Sequence, residues 1–191
     1  MPSNNYRGKQ DKYVINLEDS LLSIIDYDSS EAKLILKNKP HSIFDSLLEA
    51  RLFVYLKRQS RIKSITVHPK YQLRVGILDK TYKPDYFANT DDRKQEIWEA
   101  KGLVLTDYLV KLSCLFENLN ESTYHLVFAD KASLEKGFKK QDLRTIYQKV
   151  NNYKSGIKPL LPGNRKFKAY TLRLTTGLRE YNPLTMTEIK S

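Results

Sequence analysis

The chain has 191 residues, 40% of them hydrophobic, which is enough for one folded domain with a sizeable core and argues against disorder. Thirty-three Lys and Arg face 22 Asp and Glu, a net charge of +11, so a polyanion is the natural partner. One cysteine, Cys114, excludes an intrachain disulfide and the cysteine spacings of zinc sites. No stretch is long and apolar enough to span a bilayer, no basic amphipathic helix stands out at a terminus, and the polar N-terminus lacks a signal peptide's apolar segment. The expected setting is the cytoplasm, with no membrane partner.

Residues 1 to about 12 are polar and read as loose. Leu17, Leu21, Ile24 and Ile25 recur at helical spacing and predict a short amphipathic helix. Residues 32–40 end in Lys-Pro and read as a strand or connector. Phe44, Leu47, Leu48, Leu52, Tyr55 and Leu56 follow the 3.6-residue period, which predicts a helix from 43 to about 58. Ile65, Val67, Tyr71, Leu73 and Val75 alternate, with Pro69 at a break between two short strands. Leu78-Asp79-Lys80 reads as a hairpin connection. Strands follow over 82–88 and 96–101, separated by the turn-rich Asn89-Thr90-Asp91-Asp92.

Thr106 is placed to cap a helix whose inner face carries Tyr108, Leu109, Leu112, Leu115 and Phe116. Cys114, in the apolar phase of that pattern, reads as a buried small hydrophobe. Tyr124 to Ala129 is a compact apolar strand. Asp142 can cap a helix with Leu143, Ile146, Tyr147 and Val150 inward. Pro159, Pro162 and Gly163 mark a loop, and residues 167–174 read as a last strand. The order predicts an α/β sandwich around a central mixed sheet. Three segments are expected: an N-terminal extension with a short helix over 1–40, a core over 41–130, and a basic C-terminal extension of the same domain over 131–191.

The chemistry concentrates at Pro84-Asp85 and Glu99-Ala100-Lys101, with Glu49 upstream on the 43–58 helix. Glu99 and Lys101 are two apart and so share one face of a strand, while Trp98 and Ala100 point away. One strand can thus offer a carboxylate to a metal and an ammonium to an attacking water or a phosphate. Asp85 supplies a second ligand if the two strands pair as a hairpin, the backbone carbonyl of Ala100 a third, and Glu49 a carboxylate from the neighbouring helix. Pro-Asp and Glu-x-Lys are each common on ordinary surfaces. Here the charges interrupt a segment that otherwise reads as buried, Ile97-Trp98 then Ala100, where they are costly unless paired or metal-bound. Hard oxygen ligands for Mg²⁺ beside a cation are what phosphodiester hydrolysis needs, and the reading is a metal-dependent DNA endonuclease.

These residues resemble the PD-(D/E)XK nuclease superfamily, the restriction-endonuclease-like fold. The resemblance covers roughly residues 42–130. It rests on Ser46-x-x-Glu49-Ala50, Val67-His68-Pro69, Tyr82-Lys83-Pro84-Asp85-Tyr86 and Glu99-Ala100-Lys101-Gly102. It is similar above all to small endonucleases of phages and mobile elements, among them endonuclease subunits of bacterial transposases and some Holliday-junction resolvases. The resemblance implies Asp85 and Glu99 as metal ligands, Lys101 as the catalytic lysine, Glu49 as an accessory acid or ligand, Mg²⁺ or Mn²⁺ as the ion, and DNA as the substrate. His68 departs from the pattern, which often has glutamine before this proline. Lys111, one helix later, is placed to contact a phosphate.

The excess charge is local. Residues 131–168 hold eleven basic residues and two acidic ones, whereas the first forty balance six against six. Lys136, Lys139, Lys140, Arg144, Lys149, Lys154, Arg165, Lys166 and Lys168 are therefore the expected DNA contacts, of a salt-sensitive and sequence-independent kind. Phe138, Tyr147, Tyr153 and Phe167 interleave with them and are expected to pack on the core. One active site makes one cut, so nicking is the minimal activity, and a double-strand break requires a homodimer or sequential nicks. Branched-DNA resolution, cleavage only within a mobile-element protein complex, and DNA binding without catalysis on the same fold are the competing readings.

Overall fold

In the computed structural model, residues 11–75, 78–118, 122–151, 166–173 and 177–190 are described. The chain divides into two compact units, residues 1–54 and 55–191. Among the described residues the protein is mixed α/β, with five helices and a large mixed sheet of seven strands. No described helix is long and apolar enough to cross a membrane.

The first unit holds a three-stranded antiparallel sheet in the order β2-β1-β3, from β1 (Tyr13–Asn16), β2 (Ile24–Asp26) and β3 (His41–Phe44). The helix expected around Leu17–Ile25 is absent. Asp19 accepts the amides of Leu21 and Ser23 at 2.9 Å each and Leu22 takes a positive φ, so this segment turns and feeds β2. A carboxylate that bonds its own following amides offers the backbone an alternative to the helix ladder. The helix lies one segment later, α1 (Ser30–Asn38), where a strand or connector was expected. Ser29 caps it by accepting the Ala32 amide, and Ala32 and Ile35 bury the inner face.

Helix α2 (Leu47–Lys57) carries the chain from the first unit into the second. It starts four residues later than its apolar period suggests, because Phe44 belongs to β3 and Ser46 caps the helix. Glu49 N–H donates to Ser46 Oγ at 3.1 Å. Glu49 in turn accepts the Ser46 hydroxyl at 3.0 Å and the Asp45 amide at 3.3 Å. The reciprocal pair resembles a capping box, with the Asp45 amide and the Ser46 hydroxyl in place of the Ser46 amide.

The second unit is built on the seven-stranded sheet. Its strands are β4 (Ile62–Val67), β7 (Tyr86–Thr90), β8 (Gln95–Ala100), β9 (Ser122–Phe128), β10 (Lys166–Arg173), β11 (Gly177–Asn182) and β12 (Thr187–Glu188), in the order β12-β11-β10-β9-β8-β7-β4. β8, β9 and β10 run parallel, and the flanking pairs are antiparallel. Parallel neighbours require crossovers. Helix α3 (Thr106–Asn118) lies between β8 and β9, and α4 (Lys131–Phe138) with α5 (Gln141–Val150) between β9 and β10.

A separate hairpin pairs β5 (Tyr71–Val75) with β6 (Leu78–Tyr82). Leu78-Asp79-Lys80, expected as the hairpin connection, is therefore strand. The turn between β7 and β8 is likewise shorter than expected, since Asn89 and Thr90 are in β7. The expected loop at Pro159, Pro162 and Gly163 lies outside the described residues.

The inward faces of α3, α4 and α5 pack on Ile97, Tyr124, Leu126, Phe128, Phe167 and Ala169 of the sheet. Leu143, Ile146, Tyr147 and Val150 of α5 are all buried, as their spacing predicts, and so are Cys114, Phe138 and Phe167. A fully buried aromatic such as Phe128 contributes roughly 1.5–3 kcal/mol by leaving water. Gly137 of α4 is needed for the close approach, since a Cβ there would meet the Phe128 ring at 2.9 Å. α4 is absent from the sequence-based reading. Its cap is Asp130, which accepts the Ser133 amide at 2.7 Å, and Asp142 lies in the first turn of α5 rather than at its cap.

Candidate functional site

β7 and β8 form an antiparallel hairpin with Tyr86 opposite Trp98 and Phe87 opposite Ile97. Asp85 immediately precedes β7, so this register brings it to the end of β8, where Glu99 and Ala100 lie. The two strands are clasped there. The Ala100 amide donates to Asp85 Oδ2 at 2.7 Å, and the Asp85 backbone N–H donates to the Glu99 carboxylate. Alternation along β8 turns Glu99 to the helix-covered face, where it is 4% exposed. Lys101 follows on the same side. Its Nζ donates to Glu99 Oε1 at 3.0 Å and stands 4.2 Å above the Tyr108 ring, a cation–π contact.

The second Glu99 oxygen is held by a chain of tyrosines. Tyr82 Oη donates to Oε2 at 3.0 Å, Tyr82 and Tyr124 hydroxyls are 3.0 Å apart, and Tyr124 and Tyr108 hydroxyls 2.8 Å apart. Each hydroxyl has one proton. With Tyr82 donating to Glu99, Tyr124 must donate to Tyr82 and Tyr108 to Tyr124. Three O–H dipoles thus align toward one carboxylate, an arrangement in which each bond strengthens the next. Burial pushes all three phenols well above their usual range, so they remain donors. Burial also raises Glu99, against the lowering effects of the Lys101 charge and of the hydrogen bonds from Lys101, Tyr82 and the Asp85 amide.

His68, the departure from the motif and given no role in the sequence reading, lies beside Asp85. It has a positive φ of 47°, and its amide donates to the Asp85 carbonyl at 2.9 Å. A ring nitrogen of His68 and a carboxylate oxygen of Asp85 lie within 4.8 Å of each other. The only signal in the sequence was its place before Pro69, one strand ahead of Asp85. The Asp85 and Glu99 carboxylates are hard oxygen donors of the kind that Mg²⁺ or Mn²⁺ takes, whereas an imidazole suits softer divalent ions.

Beside Glu99 and Lys101 opens a cavity of about 450 Å³. It is lined by Thr81, Tyr82 and Lys83, by Leu103 and Leu105, and by Asp107, Tyr108 and Lys111. Lys111, singled out for phosphate contact, therefore shares a cavity with the site lysine.

Glu49 belongs to the first unit, where it completes the α2 cap. Lys136, Lys139, Lys140 and Arg144 are exposed on or beside α4 and α5, and Lys149 is half-buried. Lys166 is exposed on β10, and Lys168 is half-buried and donates to Glu180 Oε2 at 2.9 Å. Lys154, Arg165 and Tyr153 lie outside the described residues.

The opposite face of β8 carries a second polar cluster. Glu96 accepts Arg61 Nη1 at 2.7 Å and Trp98 Nε1 at 3.1 Å. The Trp98 and His125 rings stack at 3.8 Å, and His125 Nδ1 meets the Tyr170 hydroxyl at 3.1 Å. Burial holds the His125 imidazole well below its usual pKa, helped by the charges of Lys168 and Arg61. Its Nε2 is buried without a hydrogen bond, 3.7 Å from Glu96 Oε1.

The chain matches no protein-family model, no curated protein and no solved structure.

Proposed function

We propose that the protein is a metal-dependent DNA endonuclease with a restriction-endonuclease-like α/β core, encoded by a phage or other mobile element. The observation that carries this reading is the clasp at the end of the β7–β8 hairpin. A buried glutamate, an aspartate and a lysine converge there through bonds that tie each to the other's backbone or side chain. A buried carboxylate is costly for a fold unless it is paired or serves a cation, and this paired one also opens on a cavity. Asp85 and Glu99 would hold Mg²⁺ or Mn²⁺, with the Ala100 carbonyl as a further oxygen. His68 is near enough to Asp85 to ligate or to orient it. A bound divalent ion supplies charge stabilisation at the phosphoryl oxygens and a more acidic bound water.

The chain's own groups do the rest. Lys101, held by Glu99 and Tyr108, directs an ammonium at the cavity, where it can orient the scissile phosphate or the attacking water. Tyr82 fixes the Glu99 carboxylate. Lys83 and Lys111 extend the positive wall for neighbouring phosphates. Glu49 enters the reading as an accessory acid on the strength of the motif. Lys136, Lys139, Lys140 and Arg144 are exposed and give the non-specific grip on DNA, which Lys149 and Lys166 extend.

The test is plasmid cleavage. Wild-type protein should nick supercoiled DNA with Mg²⁺ and not with EDTA. Asp85→Ala should lose at least ~10³-fold in rate, a few kcal/mol of transition-state stabilisation, while retaining DNA affinity. Lys101→Ala should lose at least ~10²-fold. Near-normal cleavage by Asp85→Ala would remove the assignment. Neutralising Lys139, Lys140, Arg144 and Lys149 together should flatten the dependence of log K on log salt, by up to ~0.9 for each phosphate that is no longer neutralised. Identical salt slopes would mean that the DNA lies elsewhere.

A further inference from the structure

The cavity beside Glu99 and Lys101 has two unlike walls. Lys83, Lys101 and Lys111 bring three ammonium groups. Opposite chemistry comes from Leu103 and Leu105, which are 55% and 56% exposed. Tyr82 and Tyr108 form the floor. Asp107, in the first turn of α3, offers acceptor oxygens at the rim. An occupant that meets all of these groups is anionic in one part, apolar in another, and able to donate hydrogen bonds. A nucleotide has these three properties in its phosphate, its base face and its exocyclic amine or sugar hydroxyl.

The size narrows this further. About 450 Å³ falls within the roughly 300–1,000 Å³ of pockets that enclose one small ligand. It is of a size to take one nucleotide. Moreover, a paired base shows a protein its edges only, since its faces are stacked on neighbours. Contact between a base face and Leu103 or Leu105 requires a nucleotide that has left the stack.

We propose that this cavity receives an unpaired nucleotide next to the scissile phosphate. The favoured substrates are then DNAs that are single-stranded, bulged or branched at the cut, in preference to continuous duplex. This rests on the nuclease reading for its placement of the scissile phosphate. Lys101 faces that phosphate, Lys111 and Lys83 hold the phosphate of the unpaired nucleotide, and Leu103 and Leu105 cover its base.

The experiment compares two duplexes of one sequence, matched or with a single bulged 2-aminopurine, using the full chain. In Mg²⁺, strand cleavage beside the bulge should exceed cleavage of the matched duplex at least about tenfold, the low end of what one stacked base contributes. Leu103→Ser with Leu105→Ser, both at exposed positions, should bring cleavage beside the bulge down to that of the matched duplex in the same variant. In EDTA, binding should change the 2-aminopurine emission in wild type and not in the double variant. Equal cleavage of both duplexes, or an emission change indifferent to the leucines, overturns the proposal. Full competition by free dAMP at concentrations comparable to the oligonucleotide also overturns it, because the cavity would then serve a free nucleotide. Absence of cleavage on every DNA, with a leucine-dependent emission change intact, would sink the nuclease reading and leave the pocket standing.

Discussion

The two faces of β8 bury the same kinds of groups and use them differently. On one face Glu99 meets Lys101 and a row of tyrosines. On the other Glu96 meets Arg61 and a stack of Trp98, His125 and Tyr170. Each face holds a shielded carboxylate with one cation and one aromatic donor. What separates them is access. The Glu99 cluster lines a cavity, so its lysine and its carboxylate can reach a ligand. The Glu96 cluster is closed by ring stacking, and Glu96 finds its partners within the protein. Buried charge alone therefore does not identify a reactive site, and an opening beside it is the discriminating feature.

The sharpest contrast comes from neutralising each carboxylate in turn. On the proposed nuclease reading, in which Glu99 holds the metal, Glu99→Gln should lose at least ~10³-fold in cleavage, yet should not lose stability at neutral pH. Burial raises the Glu99 pKa above its ordinary value of 4.5. The native state then binds the proton more tightly than the unfolded chain. Glu99 contributes most to stability below pH 4.5 and loses that contribution as pH rises through its native pKa. The glutamine variant should gain on wild type in thermal melts as pH rises from about 4 to about 8. Glu96→Gln should do the reverse, cutting normally and melting lower, because it strips Arg61 and Trp98 of a charged acceptor at a cost of about 1–3 kcal/mol. Equal activity losses in the two variants would break the comparison.

A finer test removes one hydroxyl from each face. Tyr82→Phe takes a donor from Glu99. It should cost about tenfold in rate and move the acid limb of the pH–rate profile to higher pH, since that bond lowers the Glu99 pKa. Tyr170→Phe takes a partner from His125 and should leave the profile in place while costing about 1 kcal/mol of stability. The smallest effect is expected at His125 itself. Its native pKa lies well below 6.5, so its contribution to stability is present above pH 6.5 and is lost as pH falls below that value. His125→Phe keeps the stack and removes the titration. Its unfolding free energy should decline less steeply than that of wild type as pH falls from 6.5 to about 5, measured by urea denaturation.

Much of this was legible in the sequence where neighbours in the chain are neighbours in space. The β7–β8 hairpin, the shared side of Glu99 and Lys101, and the buried faces of α3 and α5 follow from periods of two and 3.6 and from a short turn. The misplaced N-terminal helix has a local cause that periodicity cannot see. Leu17, Leu21, Ile24 and Ile25 carry a helical pattern, but Asp19 spends its carboxylate on a turn and Leu21 is exposed. The reverse holds for α1, whose exposed Leu34 and two lysines hide a stripe of only two buried residues. The tyrosine chain joins residues 82, 108 and 124 from a hairpin strand, a helix and a central strand. No spacing encodes such a meeting. β11 and β12, absent from the sequence-based reading, complete an antiparallel edge whose pairing begins from β10, itself placed by parallel pairing with β9 across a long separation. His68 depends on a left-handed backbone bend that its sequence does not advertise.

Tyr124 and His125 are adjacent on β9, and each serves a different face. β9 is paired in parallel on both sides, to β8 and to β10, with Trp98 opposite His125 and Phe167 opposite Tyr124. A slip of one residue would move every side chain to the other face. It would put an imidazole where the Tyr82 and Tyr108 hydroxyls meet a phenol, and a phenol into the stack that holds an imidazole, against both neighbours at once. β9 therefore acts as an indexing strand for the assembly of the sheet. An off-by-one pairing forfeits the tyrosine chain and the aromatic stack together.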